Sequence, residues 1–475
     1  MKRLGLVFAL AFPLFACSAQ TGVEPDSTLA TGEDSLVAAS RLRVVHASPD
    51  APAVDVYVRG IDTPVVAALS FTDTSAELRV KSGTYTVDLR ASPSTAADPV
   101  VFSESLTLGG GLTTVVASGS IGSIEPQDAF RLLPIVERFT PPAAGTATVR
   151  IVHASPDAPS VSIDVGDDDI GNPEIANLDR FADTGSGGVA LPSGTALQVG
   201  IGAGGARQTA FTTPALPEGG RLLVIATGYL SHLPRERDGF GLLAVGPAGT
   251  IGFVRQNPVV YAFHGAPDAP PVRLSLPGGP TLVSRLAYGQ LSTAVQVPPS
   301  DYTLDVSAAD ADGPPVAQVG TGPLLAGERY LAIAGGFLAP IGGDASFGLS
   351  LYRDGFSRGQ TEARAIHASP DAPAVDVMVN DENGAPIATL AAGASFSQAG
   401  SEVAFPIAQD TLLSVNVLPA GGAAPIATFS AFASPGERSF VLVSGAANPD
   451  RKAPLRLISI NTNSPAWQAN AIDLD

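Results

Sequence analysis

One seven-residue string constrains this chain more than anything else in it. His46-Ala-Ser-Pro-Asp-Ala-Pro52 returns as His153–Pro159, as His264-Gly-Ala-Pro-Asp-Ala-Pro270 and as His367–Pro373, at separations of 107, 111 and 103 residues. Four of the five histidines occupy this single position. A period near 107 residues exceeds that of solenoid repeats and matches a small domain, so the string predicts four tandem copies of one folding unit. The 475-residue length and a hydrophobic fraction of 45% supply enough apolar material for several cores.

The segments after each string define the unit. Val54, Val56 and Val58 alternate with Asp55 and Tyr57, and Val375, Val377 and Val379 alternate with Asp376 and Met378. That period of two predicts a half-buried strand. Val161, Ile163 and Val165, then Val272, Leu274 and Leu276, are the equivalents. The inward face stays apolar while the outward face changes: Asp55 corresponds to Ser162, Arg273 and Asp376. Further on, Ser82–Leu89 and Pro299–Val306 read as a turn entering another alternating strand. A glycine-bounded apolar run follows, at Gly111–Gly119, Gly220–Gly228, Gly327–Gly335 and Gly436–Gly445. With a closing strand such as Phe130–Val136 or Leu455–Ile460, each copy carries roughly seven short strands between Gly/Pro turns. The expected fold class is all-β, four tandem antiparallel β-sandwich (Ig-like) domains, at 41–142, 146–255, 258–358 and 361–475.

The apolar-apolar-His-Ala-Ser-Pro-Asp-Ala-Pro-x-Val-Asp-Val start, the run Leu286–Ser292 and the later Asp301-Tyr-Thr-Leu-Asp-Val306 resemble the family called domain of unknown function 4397. The resemblance covers nearly all of the chain beyond its first forty or so residues, and copy three departs from it at Gly265 and Ala266. It implies a secreted or surface protein of bacteria and brings no established activity.

Lys2 and Arg3 precede an apolar run from Leu4 to Phe15, the length of an export-signal core and too short to span a bilayer. Leu14-Phe15-Ala16-Cys17 resembles the bacterial lipobox, with Phe15 larger than usual, and Cys17 is the chain's only cysteine. That resemblance implies a signal peptide over 1–16, lipidation of Cys17 and a membrane partner through the N-terminal lipid anchor; Ser18 in place of Asp is compatible with the outer membrane or cell surface. An ordinary cleaved signal with an incidental Cys17 is the alternative. Residues 17–40 are polar and read as a flexible tether. With no second cysteine, the domains must stand on packing without disulfides.

Charge narrows the partners. There are 27 Lys+Arg against 45 Asp+Glu, a net −18 that repels phosphate backbones, so no nucleic-acid partner is expected. A single Trp, Trp467, argues against a carbohydrate-stacking platform.

His46, Ser48 and Asp50 invite a nucleophile–base–acid reading, which fails because Ala266 replaces the serine in copy three and Pro49 favours a turn that need not align a relay. A metal site built from each His and the Asp four residues on has only two ligands per copy. The favoured role is structural: Pro49 presets a turn, Asp50 accepts hydrogen bonds from turn amides or the imidazole, and the His packs at a strand end. The same holds for His153 and Asp157, His264 and Asp268, and His367 and Asp371. The clusters Asp167–Asp169, Asp310–Gly313 and Asn380–Gly384 lack a full EF-hand pattern and read as solvated loop tips, with calcium the alternative. His232 reads as an exposed loop residue. No cofactor, metal or catalytic residue is expected. The expectation is a lipid-anchored, non-enzymatic display, adhesion or interaction scaffold for an envelope protein or surface ligand; the alternative is a metal-dependent binder or enzyme with a site in an inter-domain cleft.

Overall fold

The computed structural model describes residues 39–166, 169–311, 313–451 and 453–474. The expected signal peptide, Cys17 and most of the tether lie outside the described residues, and the first strand, Ala39–His46, begins inside the segment read as tether. Among the described residues every regular element is a strand, eight in copy one, nine in two, eight in three and nine in four. None of them forms a helix long and apolar enough to cross a membrane.

Each copy is two stacked sheets. In copy one the strands Leu78–Lys81, Ala39–His46, Gly111–Ser118 and Arg131–Val136 form one sheet in that order, and Val66–Leu69, Val54–Val58, Gly83–Ala91 and Phe102–Leu108 form the other. The other copies repeat this plan, copies two and four each adding a fifth strand to the first sheet. The sandwiches are mostly antiparallel, with one consistent exception. The strand carrying the heptad histidine runs parallel to the glycine-bounded strand, Val44 opposite Val115 and His46 opposite Ala117. The pairs Thr146–His153 with Arg221–Thr227, Val259–Gly265 with Arg329–Gly335, and Glu362–Ala368 with Arg438–Ser444 do the same. Local pattern does not reveal strand direction, because the period is two either way.

These central strands are buried on both faces. Leu42, Val44, Val115 and Ala117 point into the core of copy one, whereas the intervening Val45, Ala47 and Val116 meet Val152, Ala154, Leu223 and Ile225 of copy two. Copies three and four join likewise: Tyr261, Phe263, Leu331 and Ile333 pack on Ile366, Phe440, Leu442, Ile458 and Trp467, with Tyr261 stacked on Trp467 at 4.2 Å between centroids. Each copy thus has a core of its own, and the copies also form two pairs, each joined by a shared apolar layer. Complete burial of one such large side chain contributes about 1.5–3 kcal/mol, so a face with this many is unstable in water. An apolar run without polar alternation, such as Leu222–Ala226, is the sequence counterpart of two-sided burial.

Polar contacts across the first pair are reciprocal. The Ser118 hydroxyl donates to the Ala154 carbonyl at 3.0 Å, and the equivalent Thr227 hydroxyl donates to the Ala47 carbonyl at 2.6 Å. Each central strand thus grips the other copy's heptad, as in an isologous dimer.

Candidate functional site

The heptad starts where a buried strand leaves the sheet, and each imidazole is at most 1% exposed. Nε2 faces the carbonyl of the heptad's own last proline: His46 with Pro52 at 3.0 Å, His153 with Pro159 at 2.8 Å, His264 with Pro270 at 3.0 Å and His367 with Pro373 at 2.9 Å. A carbonyl only accepts, so Nε2 carries the proton and donates, and a neutral ring leaves Nδ1 as an acceptor. In copies three and four Nδ1 accepts from the amides of Ala266 and Ser369, each at 3.3 Å. Burial pushes all four imidazoles below the ordinary histidine range, against the opposing effect of the proline carbonyl.

The aspartate does not reach its histidine. Its carboxylate crosses to the loop that follows the central strand, 70 to 77 residues later, and straddles two successive backbone amides. Asp50 accepts from Ile121 at 3.0 Å and Gly122 at 2.8 Å; Asp157 from Leu230 at 2.7 Å and Ser231 at 2.9 Å. Asp268 accepts from Leu338 and Ala339, both at 2.9 Å, and Asp371 from Ala447 at 2.7 Å and Asn448 at 3.0 Å. Asp50 also accepts from the Ser120 hydroxyl at 2.6 Å. Burial alone would raise its pKa, but the Ser120 hydroxyl and the two amides outweigh that and hold it below the usual carboxylate value.

The gripped loop begins at a glycine in the left-handed region: Gly119, Gly228, Gly336 and Gly445, with φ from +82° to +100°. In each, an added Cβ would run into a backbone carbonyl oxygen, that of Ala129, Gly239, Ser346 or Pro454, closer than real Cβ atoms come. In copy three the structural glycine is Gly336, one residue beyond the Gly335 expected from the run. A second left-handed position donates its amide to the heptad histidine's carbonyl, at Thr72, Phe181, Gly289 and Ser397, 2.7 to 2.8 Å away. Only copy three shows it as glycine in the sequence.

Ser48 donates to the Gly119 carbonyl at 2.7 Å and Ser155 to the Gly228 carbonyl at 2.7 Å, so these hydroxyls meet backbone and not the imidazole. The four imidazoles lie apart, each on its own proline. Asp55 departs from the expected outward role: it is 3% exposed and accepts from the amides of Ala68 at 2.8 Å and Ser94 at 2.7 Å. Tyr57 beside it is also buried, its hydroxyl donating to the Ser94 carbonyl at 2.9 Å, because the loop after Ala91 folds over this strand. Asp376 repeats the tie in copy four, through Gly393 at 2.6 Å and Gly421 at 2.9 Å.

Of the acidic loops, Asp167, Asp168 and Asp312 lie outside the described residues. Asp310 pairs with Arg285 at 3.0 Å, and Asp381 accepts from the Asn383 and Ala385 amides at 2.9 and 2.7 Å. His232 is half-buried and not on an exposed loop tip: it lies 4.4 Å from the Tyr229 ring, with Nδ1 3.0 Å from Asp238. With Glu236 and Asp238 it forms the one group of three potential metal ligands among the described residues. Arg358 already engages both carboxylates, at 3.1 Å to Glu236 and 3.6 Å to Asp238. The three ligand types stand within residues 232–238, so their spacing was readable locally, whereas Arg358 arrives from the end of copy three.

The fold and its ties define a class, tandem β-sandwich repeats closed by a heptad at one end of each unit. Within that class, the model described as Domain of unknown function (DUF4397) matches residues 40–164 and 258–378, just over half of the chain, and the chain belongs to this family. Each matched stretch runs through one copy and into the heptad of the next. No curated protein matches the chain. Among solved structures it is similar to the Bacillus anthracis TIE protein, at 10% identity over 86% of this chain and 68% of that chain, with a TM-score of 0.15, a likeness too low to support any argument.

Proposed function

We propose that the protein is a lipid-anchored, non-enzymatic scaffold of the cell envelope that presents two rigid double sandwiches to a partner at the surface. The observation that carries this reading is that the repeated polar side chains are committed to backbone: each heptad imidazole to its own proline carbonyl and each heptad aspartate to two loop amides. Groups spent in this way rigidify a fold and are not free to attack or bind a substrate. Anchoring is supported by the export-signal pattern and Cys17. Cys17→Ala is expected to move the protein from the membrane pellet to the soluble fraction and to abolish incorporation of labelled fatty acid. Retention of the mutant in the pellet contradicts the anchor. A pull-down from envelope extract with the lipid-free chain tests for the partner.

The second reading, a metal-dependent binder or enzyme in an inter-domain cleft, is favoured by one observation, the His232–Glu236–Asp238 group. Elemental analysis of purified protein decides it: stoichiometric metal lost on His232→Ala supports that reading.

A further inference from the structure

Where copies two, three and four meet there is a cleft of about 340 Å³, and its wall is cationic. Arg207, Arg329, Arg358, Arg438 and His232 line it, and no carboxylate is among its lining residues. For a chain of net charge −18 this concentrates guanidinium groups against the overall field. Part of the charge is balanced from behind. Asp354, fully buried, binds Arg329 and lies 3.6 Å from Arg235, while Glu236 and Asp238 hold Arg358. Four guanidiniums, of Arg235, Arg329, Arg358 and Arg438, thus face three carboxylates.

Arg438 is the one left over. It is 94% buried, makes no ion pair among the described residues, and its Nε and Nη1 have no hydrogen-bond partner. Burial and the neighbouring Arg329 both disfavour its charge. An ionised guanidinium buried without an acceptor is costly, and a folded protein ordinarily supplies one. The planar donor fork of arginine matches the oxygens of a tetrahedral oxyanion, and several forks around one space select such a group over a point anion.

We propose that this cleft is a binding site for an oxyanion of the phosphate or sulfate class, with Arg438 as its central ligand and Arg329, Arg358 and Arg207 around it. The inference does not depend on the lipid anchor or on the scaffold reading. The cleft volume leaves room for an organic remainder, and the amides of Gln208, Gln296 and Asn463 line it, so a small polar ester fits better than the bare ion.

The test is thermal unfolding of the full lipid-free chain titrated with inorganic phosphate and with sulfate, against sodium chloride at matched ionic strength. Saturating oxyanion is expected to raise Tm by several degrees above the chloride control. Arg438→Leu is expected to weaken the response at least tenfold while leaving the anion-free Tm equal or higher, because it removes a buried charge that burial and Arg329 disfavour more than the nearby carboxylates favour it. Arg438→Lys keeps the charge without the fork and is expected to bind at an intermediate strength. A phosphate-only or a sulfate-only response identifies the ester class. No response of the parent protein beyond chloride overturns the proposal, as does an unchanged response in Arg438→Leu. Stabilisation by zinc with both oxyanions inert overturns it in favour of metal at His232.

Discussion

The cross-tie at Asp371 offers the clearest energetic test. Asp371→Ala removes two charge-assisted hydrogen bonds, of 2.7 Å from the Ala447 amide and 3.0 Å from the Asn448 amide. Bonds to a charged acceptor contribute about 1.5–3 kcal/mol each. Both amides belong to exposed residues, so water replaces part of what is lost and the low end applies, about 2–3 kcal/mol in all. Copies three and four share one apolar layer and are expected to unfold as one unit, for which 1 kcal/mol corresponds to about 2–4 °C, so the predicted drop is roughly 5–10 °C in one calorimetric transition. Ser369→Ala is the control. Its hydroxyl lies 3.4 Å from the same carboxylate, at the edge of hydrogen-bonding range, and copy three has Ala266 at this place, so it is expected to cost less than about 0.5 kcal/mol. Differential scanning calorimetry of the full chain compares the two. Equal shifts for both substitutions, or a drop below about 2 °C for Asp371→Ala, refute the idea that the heptad aspartate holds the distant loop.

Three further outcomes follow from the same geometry. Gly445→Ala forces a side chain into φ +100° and against the Pro454 carbonyl and is expected to cost about 3 kcal/mol, whereas Gly384→Ala, at φ +82° with open space around it, costs only the conformational share of about 1–2 kcal/mol; urea midpoints that match refute the steric part. The four imidazoles have depressed values in the fold, so the unfolded chain takes up protons that the native state refuses: stability is full above pH 7 and falls as pH drops through about 6.5. The carboxylates of Asp50, Asp55 and Asp376, also depressed, add a second loss only below about pH 4, and a urea midpoint flat from pH 7 to 5 contradicts the histidine account. Copy four produced alone exposes Ile366, Phe440, Leu442 and Ile458 and is expected to self-associate in analytical ultracentrifugation, while copies three and four together remain monomeric; a monomeric, equally stable copy four refutes the shared core.

Much of this fold was legible in the residues because it is written four times. The heptad period marked the units, and Val54–Val58 or Val375–Val379 marked strands by a spacing that only a pleated sheet satisfies. What the pattern could not carry is whatever depends on a partner distant in sequence. Asp50 meets amides 71 and 72 residues away, which no local window contains. The parallel pairing of the heptad strand leaves no mark on a period of two. Pairing of the copies had a trace, the unbroken apolar run at Leu222–Ala226, yet the face it needs belongs to another unit. Left-handed Thr72, Phe181 and Ser397 were hidden for a different reason, since long-range hydrogen bonds override the local preference that Gly289 alone displays. The cationic cleft draws Arg329 and Arg358 from copy three and Arg438 from copy four, and only the packing of the copies brings them to one space.

The central claim is that each heptad histidine is a neutral structural donor tied to its own proline. Nitrogen-15 NMR of the imidazoles in the intact protein, from pH 7.5 to 5 and with and without added zinc, tests it most directly. The account predicts four rings protonated at Nε2 alone, unchanged by zinc and still neutral below the pH at which a free histidine charges. Rings that titrate near 6.5, or whose Nδ1 resonances move when zinc is added, contradict it.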